Sequence, residues 1–111
     1  MIEKTIRDYL VPLFEVPVYV DVPSEPPPDY IVIERTGGRM ENQIRSAVVA
    51  IQSIGDSQYE AAMRHEDVIR HMLDMSELDC IGSVKINAEY NYPNLANKDH
   101  RYQAVFDIVY Y

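Results

Sequence analysis

Apolar residues at Ile2, Ile6, Tyr9, Leu10 and Leu13 recur at the spacing of one helical face, so the chain opens with a helix. Pro12 disfavours helical geometry at Val11 and should kink or stop it there. Val16, Val18, Val20 and Val22 then alternate with Pro17, Tyr19, Asp21 and Pro23, the period of a strand with one buried face, and the prolines place it at a sheet edge. Pro23-Ser24-Glu25-Pro26-Pro27-Pro28 forms a stiff extended connector. Tyr30 to Arg35 predicts a second strand, ended by Gly37-Gly38 where positive φ is cheap, with a polar loop from Arg39 to Asn42.

Ile44 to Ile54 predicts a third strand. Ala47, Val49 and Ile51 occupy one parity and Val48 and Ala50 the other, so both of its faces are expected to be covered. Gly55-Asp56 breaks it, and Ser57 with Glu60 three residues on forms a capping box that starts a second helix. Ala61, Val68, Met72 and Met75 give that helix its stripe, widened by Ile69 and Leu73, and the helix should lie across the sheet. Two strands close the chain: Val84, Ile86, Ala88, Tyr90 and Tyr92 share one parity, and Tyr102, Ala104, Phe106, Ile108 and Tyr110 share one in the last. The polar stretch Asn91 to His100 between them predicts a long hairpin loop. The order is α-β-β-β-α-β-β without internal repeats, an α+β fold with a mainly antiparallel sheet and two helices packed on it. Its 111 residues make one domain, 1–111.

Charge narrows the partners. Eighteen Asp and Glu against ten Lys and Arg give a net −8, which repels a phosphate backbone and disfavours sequence-specific nucleic-acid binding. Cys80 is the sole cysteine, so neither an intrachain disulfide nor a thiolate metal cage is expected, and a reducing cytoplasm suits the chain; Cys80 itself reads as a small apolar residue entering a strand. The opening MIEKTIRDYL lacks the apolar core of a secretory signal, and the longest aliphatic run, Ala47 to Ile51, is too short to span a bilayer, so no membrane partner is expected.

Candidate chemistry is thin. His65-Glu66 begins like a zincin helix, but Ile69 stands four residues after His65 and the next histidine, His71, lies about 120° around the helix from it. The bland alternative puts His65 at the edge of the stripe and His71 in solvent. Asp29 and Glu34 suggest the acidic pair of a metal nuclease, but Arg35-Thr36 follows where that pattern needs a lysine; Asp29 capping the entry to strand two, with Glu34 solvated, accounts for both. Neither a phosphate-cradling glycine loop nor a nucleophile elbow is present. No catalytic, cofactor-binding or metal residue is expected, and the chain is not expected to be an enzyme. Tyrosine is informative: nine Tyr against two Phe and no Trp suit surfaces that are half apolar and half wet, as at interfaces, or else cross-strand pairs within the monomer.

The element order, the proline connector feeding Pro28-Asp29-Tyr30-Ile31-Val32-Ile33-Glu34, the Gly37-Gly38 pair and the ending Arg101-Tyr102-Gln103-Ala104-Val105-Phe106-Asp107-Ile108 together resemble the tail terminator, or tail completion, proteins of long-tailed bacteriophages. The resemblance covers nearly the whole chain and rests on no catalytic motif. It implies a structural protein of the virion, found at the tail-neck junction and in the bacterial host cytoplasm during assembly. Such a protein forms a hexameric ring on the tail tube, stops its polymerisation, and meets the head or neck connector protein. The ring's acidic lumen would let DNA pass without sticking. By position, the polar loop after Gly37-Gly38, with Arg39, Met40, Glu41 and Asn42, would meet the tube protein, and Arg35, Gly37 and Gly38 are further candidates for protein contact. The sheet edges and Tyr90, Tyr92, Tyr110 and Tyr111 are the candidates for contacts between subunits. Two other roles fit the same residues: a head-tail connector, or a small cellular adaptor domain.

Overall fold

The computed structural model describes residues 1–41, 44–91 and 100–111. Helix α1 (Ile2–Leu10) gives way at Val11–Leu13 to a single 3-10 turn holding Pro12, so the helix stops where the proline dictates. Five strands follow: β1 (Val18–Tyr19), β2 (Tyr30–Glu41), β3 (Ile44–Gly55), β4 (Ile81–Asn91) and β5 (His100–Tyr110). Helix α2 (Gln58–Asp74) lies between β3 and β4 in sequence, and the fold is α+β in the order α-β-β-β-α-β-β. The sheet order is β1-β2-β3-β5-β4, antiparallel except for the β1–β2 pair. The expected strand from Val16 shrinks to Val18–Tyr19, because the flanking prolines cannot donate to a ladder, and it does lie at an edge.

Both helices pack on one face. Ile2, Ile6 and Leu10 of α1 and Val68 and Met72 of α2 meet Ile31, Ile33, Val49, Ile51, Ala104, Phe106 and Ile108 in a single core. Ser57 Oγ accepts the Glu60 N–H at 3.2 Å, so the capping residue predicted for α2 holds its first turn. Tyr9 of α1 ties the helices together, donating its hydroxyl to the His71 carbonyl at 2.7 Å, and Phe14 sets its ring edge-on to His71.

Three expectations need correction. Gly37-Gly38 does not end β2: neither glycine has a left-handed φ, and the strand runs through to Glu41, paired with Ile44. The irregularity there is a bulge between Arg35 and Gly37, with Thr36 donating its hydroxyl to the Val48 carbonyl at 3.3 Å. The loop expected from Arg39 is therefore strand as far as Glu41, while Asn42 lies outside the described residues. Second, β3 is not covered equally on its two faces. Ala50 and Ile54 are buried on the side away from the core, but Val48 is only half-buried, and among the described residues no helix lies on that side. Third, β4 carries bulges between Ile81 and Ser83 and between Ile86 and Ala88. The second shifts the parity, so Val84 faces the core while Ala88 and Tyr90 pair with Val105 and Gln103 on the opposite face. The loop expected between Asn91 and His100 falls on 92–99, outside the described residues, as does Tyr92.

Candidate functional site

The described surface offers an arm and an open sheet face. The twelve residues of β2 span about 40 Å as a strand, which sets the long dimension of the molecule, 44 Å against 25 and 24 Å. The start of α1 reaches the hairpin end at its base, where Met1, Ile2 and Thr5 line one cavity with Arg35 and Arg45. Glu34, Arg35, Thr36, Gly38, Arg39, Met40, Glu41, Ile44 and Arg45 are all exposed, although cross-strand pairing places them alternately on the two faces. The hairpin end, called the arm below, is thus an exposed corner of the sheet: β5 pairs with β3 as far as Arg45, so only Glu41 and Ile44 form a two-stranded tip, where Met40 is 65% and Ile44 47% exposed.

This arm is basic in an acidic protein. Arg35, Arg39 and Arg45 against Glu41 give residues 35–45 a charge of +2, which leaves −10 on the rest of a chain whose net charge is −8. Among the described residues no carboxylate lies within ion-pair distance of any of the three arginines. Arg35 folds back along its own strand, donating Nε–H to the Gly37 carbonyl at 3.2 Å and laying its guanidinium over Gly38. The approach is possible only because Gly38 lacks a Cβ: one added there would press on Arg35 Nη2 and lie 2.7 Å from the Ser46 carbonyl oxygen. Arg35, Arg45, Tyr110 and Tyr111 line a cavity of about 340 Å³ beneath the arm.

The open face is a band of small apolar side chains between two polar belts. Val32, Val48, Ala50, Val105 and Ala88 cross its middle. On one side Arg101 Nη1 donates to Gln52 Oε1 at 3.0 Å, Gln52 Nε2 donates to Gln103 Oε1 at 2.9 Å, and Gln103 Nε2 donates to the Tyr90 hydroxyl, a chain across β3, β5 and β4. On the other, Asn87 Nδ2 donates to both carboxylate oxygens of Asp107, at 3.3 and 3.1 Å, with Lys85 opposite Asp107 in register. A groove of about 540 Å³ runs from Arg39 and Ser46 to Lys85 and Asp107. Tyr90 thus belongs to the open face, Tyr110 to the arm's base, and Tyr111, 71% exposed, to the cavity rim.

The groups that suggested chemistry are drawn into the scaffold and do not converge. Asp29 Oδ1 accepts the Asp56 N–H at 3.0 Å and faces Arg64 at 3.6 Å, while Arg64 Nη1 donates to the Ile54 carbonyl at 2.9 Å. This latch joins the start of β2 to the end of β3 and the first turns of α2. Glu34 stands exposed on the open face, five residues along an extended strand from Asp29. His65 is buried in the middle of the α2 stripe and not at its edge, its ring 5.2 Å from that of Tyr102 and its Nε2 3.4 Å from Glu89. His71 is half-buried against Phe14 and not solvated. Among the described residues no three His, Cys, Asp or Glu groups are placed to share a metal ion. Cys80 is exposed just before β4, and among the described residues no helix is long and apolar enough to cross a membrane.

The arm was only partly legible in sequence. The sequence pattern reads Arg39 to Asn42 as a loop after a strand ending at Gly37-Gly38, whereas the bulge that carries the strand on to Glu41 depends on the partner strand. Comparison with protein-family models and with curated proteins finds no match.

Proposed function

We propose that this chain is a structural protein of a long-tailed bacteriophage that caps the tail tube, ends its polymerisation and forms the interface to the head or neck. The reading comes from the sequence resemblance to tail terminators. The observation that carries it is the arm: a basic hairpin end, with exposed side chains on both faces, at one end of an otherwise acidic domain. Its exposed apolar side chains beside arginines are the composition of protein interfaces.

In this reading the arm's tip, Arg39, Met40 and Glu41, meets the tube protein. Copies of the chain stand side by side in a ring, and the face away from the tube meets the neck connector. The chain works in the virion, at the tail-neck junction, after assembly in the host cytoplasm. It performs no catalytic step and needs no cofactor: Asp29, Arg64 and His65 have scaffold roles.

Electron microscopy of tails assembled with and without the chain tests this directly. Tubes of unregulated length in its absence are expected. Tubes of normal length that fail to join heads would move the chain to the neck, and normal particles would remove it from the tail altogether.

A further inference from the structure

The sheet order and the charge distribution together select a partner for the arm's base. Arg45 pairs with Tyr110, and Tyr110 pairs with Ile81, so the start of β4 lies at the same end of the sheet as the arm. Just before it the chain runs through Leu73, Asp74, Glu77, Leu78 and Asp79, all exposed, with no Lys or Arg between Arg70 and Lys85. This corner is acidic and apolar where the arm is basic and apolar. The β2 strand of the arm, with Arg35, stands on the opposite flank of the sheet from β4, about 14 Å away at the usual strand spacing, with Arg45 on β3 and Tyr110 on β5 between them. On the arm's flank, β1 covers β2 only at Ile31 and Val32, so the β2 edge beyond Val32 has no strand beside it among the described residues.

We infer that the arm's base, Arg35 and Arg45 with Tyr110, receives the acidic corner at Asp74, Glu77 and Asp79 of a second copy of this chain. This deepens the reading of the chain as an assembly subunit, and rests on it, by naming the two surfaces that meet. Complementary patches on opposite flanks at one end produce a head-to-tail contact, in which each copy uses its arm on one neighbour and its corner on the other. The guanidiniums and the carboxylates, each without an ion pair among the described residues of one copy, are neutralised by the same event, and Leu73, Leu78 and Ile44 lie beside them to be covered.

Sedimentation equilibrium of the full chain at about 20 mM and about 300 mM salt tests the contact, since surface charge pairs are screened at the higher value. We expect the wild type to associate at low salt and about tenfold more weakly at high salt. Arg35→Glu/Arg45→Glu and, separately, Glu77→Lys/Asp79→Lys should each weaken association about tenfold, and an equimolar mixture of the two variants should restore it. All four positions are exposed, so either variant tests the contact if the other fails to fold, as judged by circular dichroism. A wild type that stays monomeric at low salt, association indifferent to both substitutions, or a mixture that does not recover overturns the inference. So does stoichiometric binding of inorganic phosphate that the arm variant abolishes while association persists, which would make the cluster a small-anion site. Because the readout is association in solution, its failure leaves the tail-length experiment unaffected, and a tail-length failure leaves a charge-swap rescue standing.

Discussion

Adjacent glycines in β2 should respond oppositely to the same added methyl. At Gly37 a new Cβ would stand 4.0 Å from Val48 Cβ and Cγ2, an ordinary van der Waals contact. Neither glycine has a positive φ, so alanine strains no backbone, and it narrows the unfolded ensemble. Gly37→Ala should therefore be neutral or stabilise by about 0.5 kcal/mol. At Gly38 the same atom would lie 2.7 Å from the Ser46 carbonyl oxygen and against Arg35 Nη2. The guanidinium can swing away, but the Ser46 oxygen belongs to the paired strand and moves only if the ladder opens. Overpacking of this kind costs about 1–3 kcal/mol, so the two variants should differ by roughly 1–3.5 kcal/mol. At this chain length that is on the order of 10 °C in melting temperature, if arm and core unfold together. Urea denaturation gives the global difference, and amide hydrogen exchange across residues 36–41 and 44–47 shows whether an opened arm carries it. Gly38→Ala proving as benign as Gly37→Ala in both measurements would refute the packing argument and with it the fixed position of Arg35.

Three further outcomes check the scaffold. Ser57→Ala removes the oxygen that accepts the Glu60 N–H and should cost about 1 kcal/mol in urea denaturation, with an unchanged value indicating that the cap holds nothing. Asp29→Ala breaks the latch to Asp56 and Arg64 and should cost about 1–2 kcal/mol; no loss would show that the latch is incidental. Burial, then Asp74 and Glu77, push the Tyr9 phenol above its ordinary 10.0, so near and above that pH the folded chain keeps a proton that the unfolded chain releases. Its stabilising contribution is complete below pH 10 and declines as pH rises through the higher folded value. Tyr9→Phe should lower stability at pH 8, through loss of the His71 bond, yet flatten the decline above pH 10; an unchanged alkaline slope would contradict the assignment.

The helices and the last strand were readable because each buries a single face. Leu10 before Pro12, Ser57 with Glu60, and Ala104, Phe106 and Ile108 record period and caps without reference to distant residues. What the sequence hid depends on the partner strand. A bulge moves one residue out of register, so Thr36 extends β2 past a glycine pair that looks like a terminator, and the register shift after Ile86 turns Tyr90 to the other face. Alternation along β3 reports side-chain size as much as coverage: Ala50 is buried by its neighbours in the sheet, while Val48 stays half open. The arm's residues were identified, but its charge pattern acquires meaning only when the strand order sets the acidic corner on the opposite flank.

The claim on which the account rests is that residues 35–41 with Ile44 and Arg45 form a surface made for another protein. The structure of the assembled particle by electron cryo-microscopy measures this most directly. Arg35, Met40 and Arg45 should be buried against neighbouring chains, with carboxylates against the guanidiniums. An arm left in solvent, with contacts made elsewhere on the molecule, would contradict it.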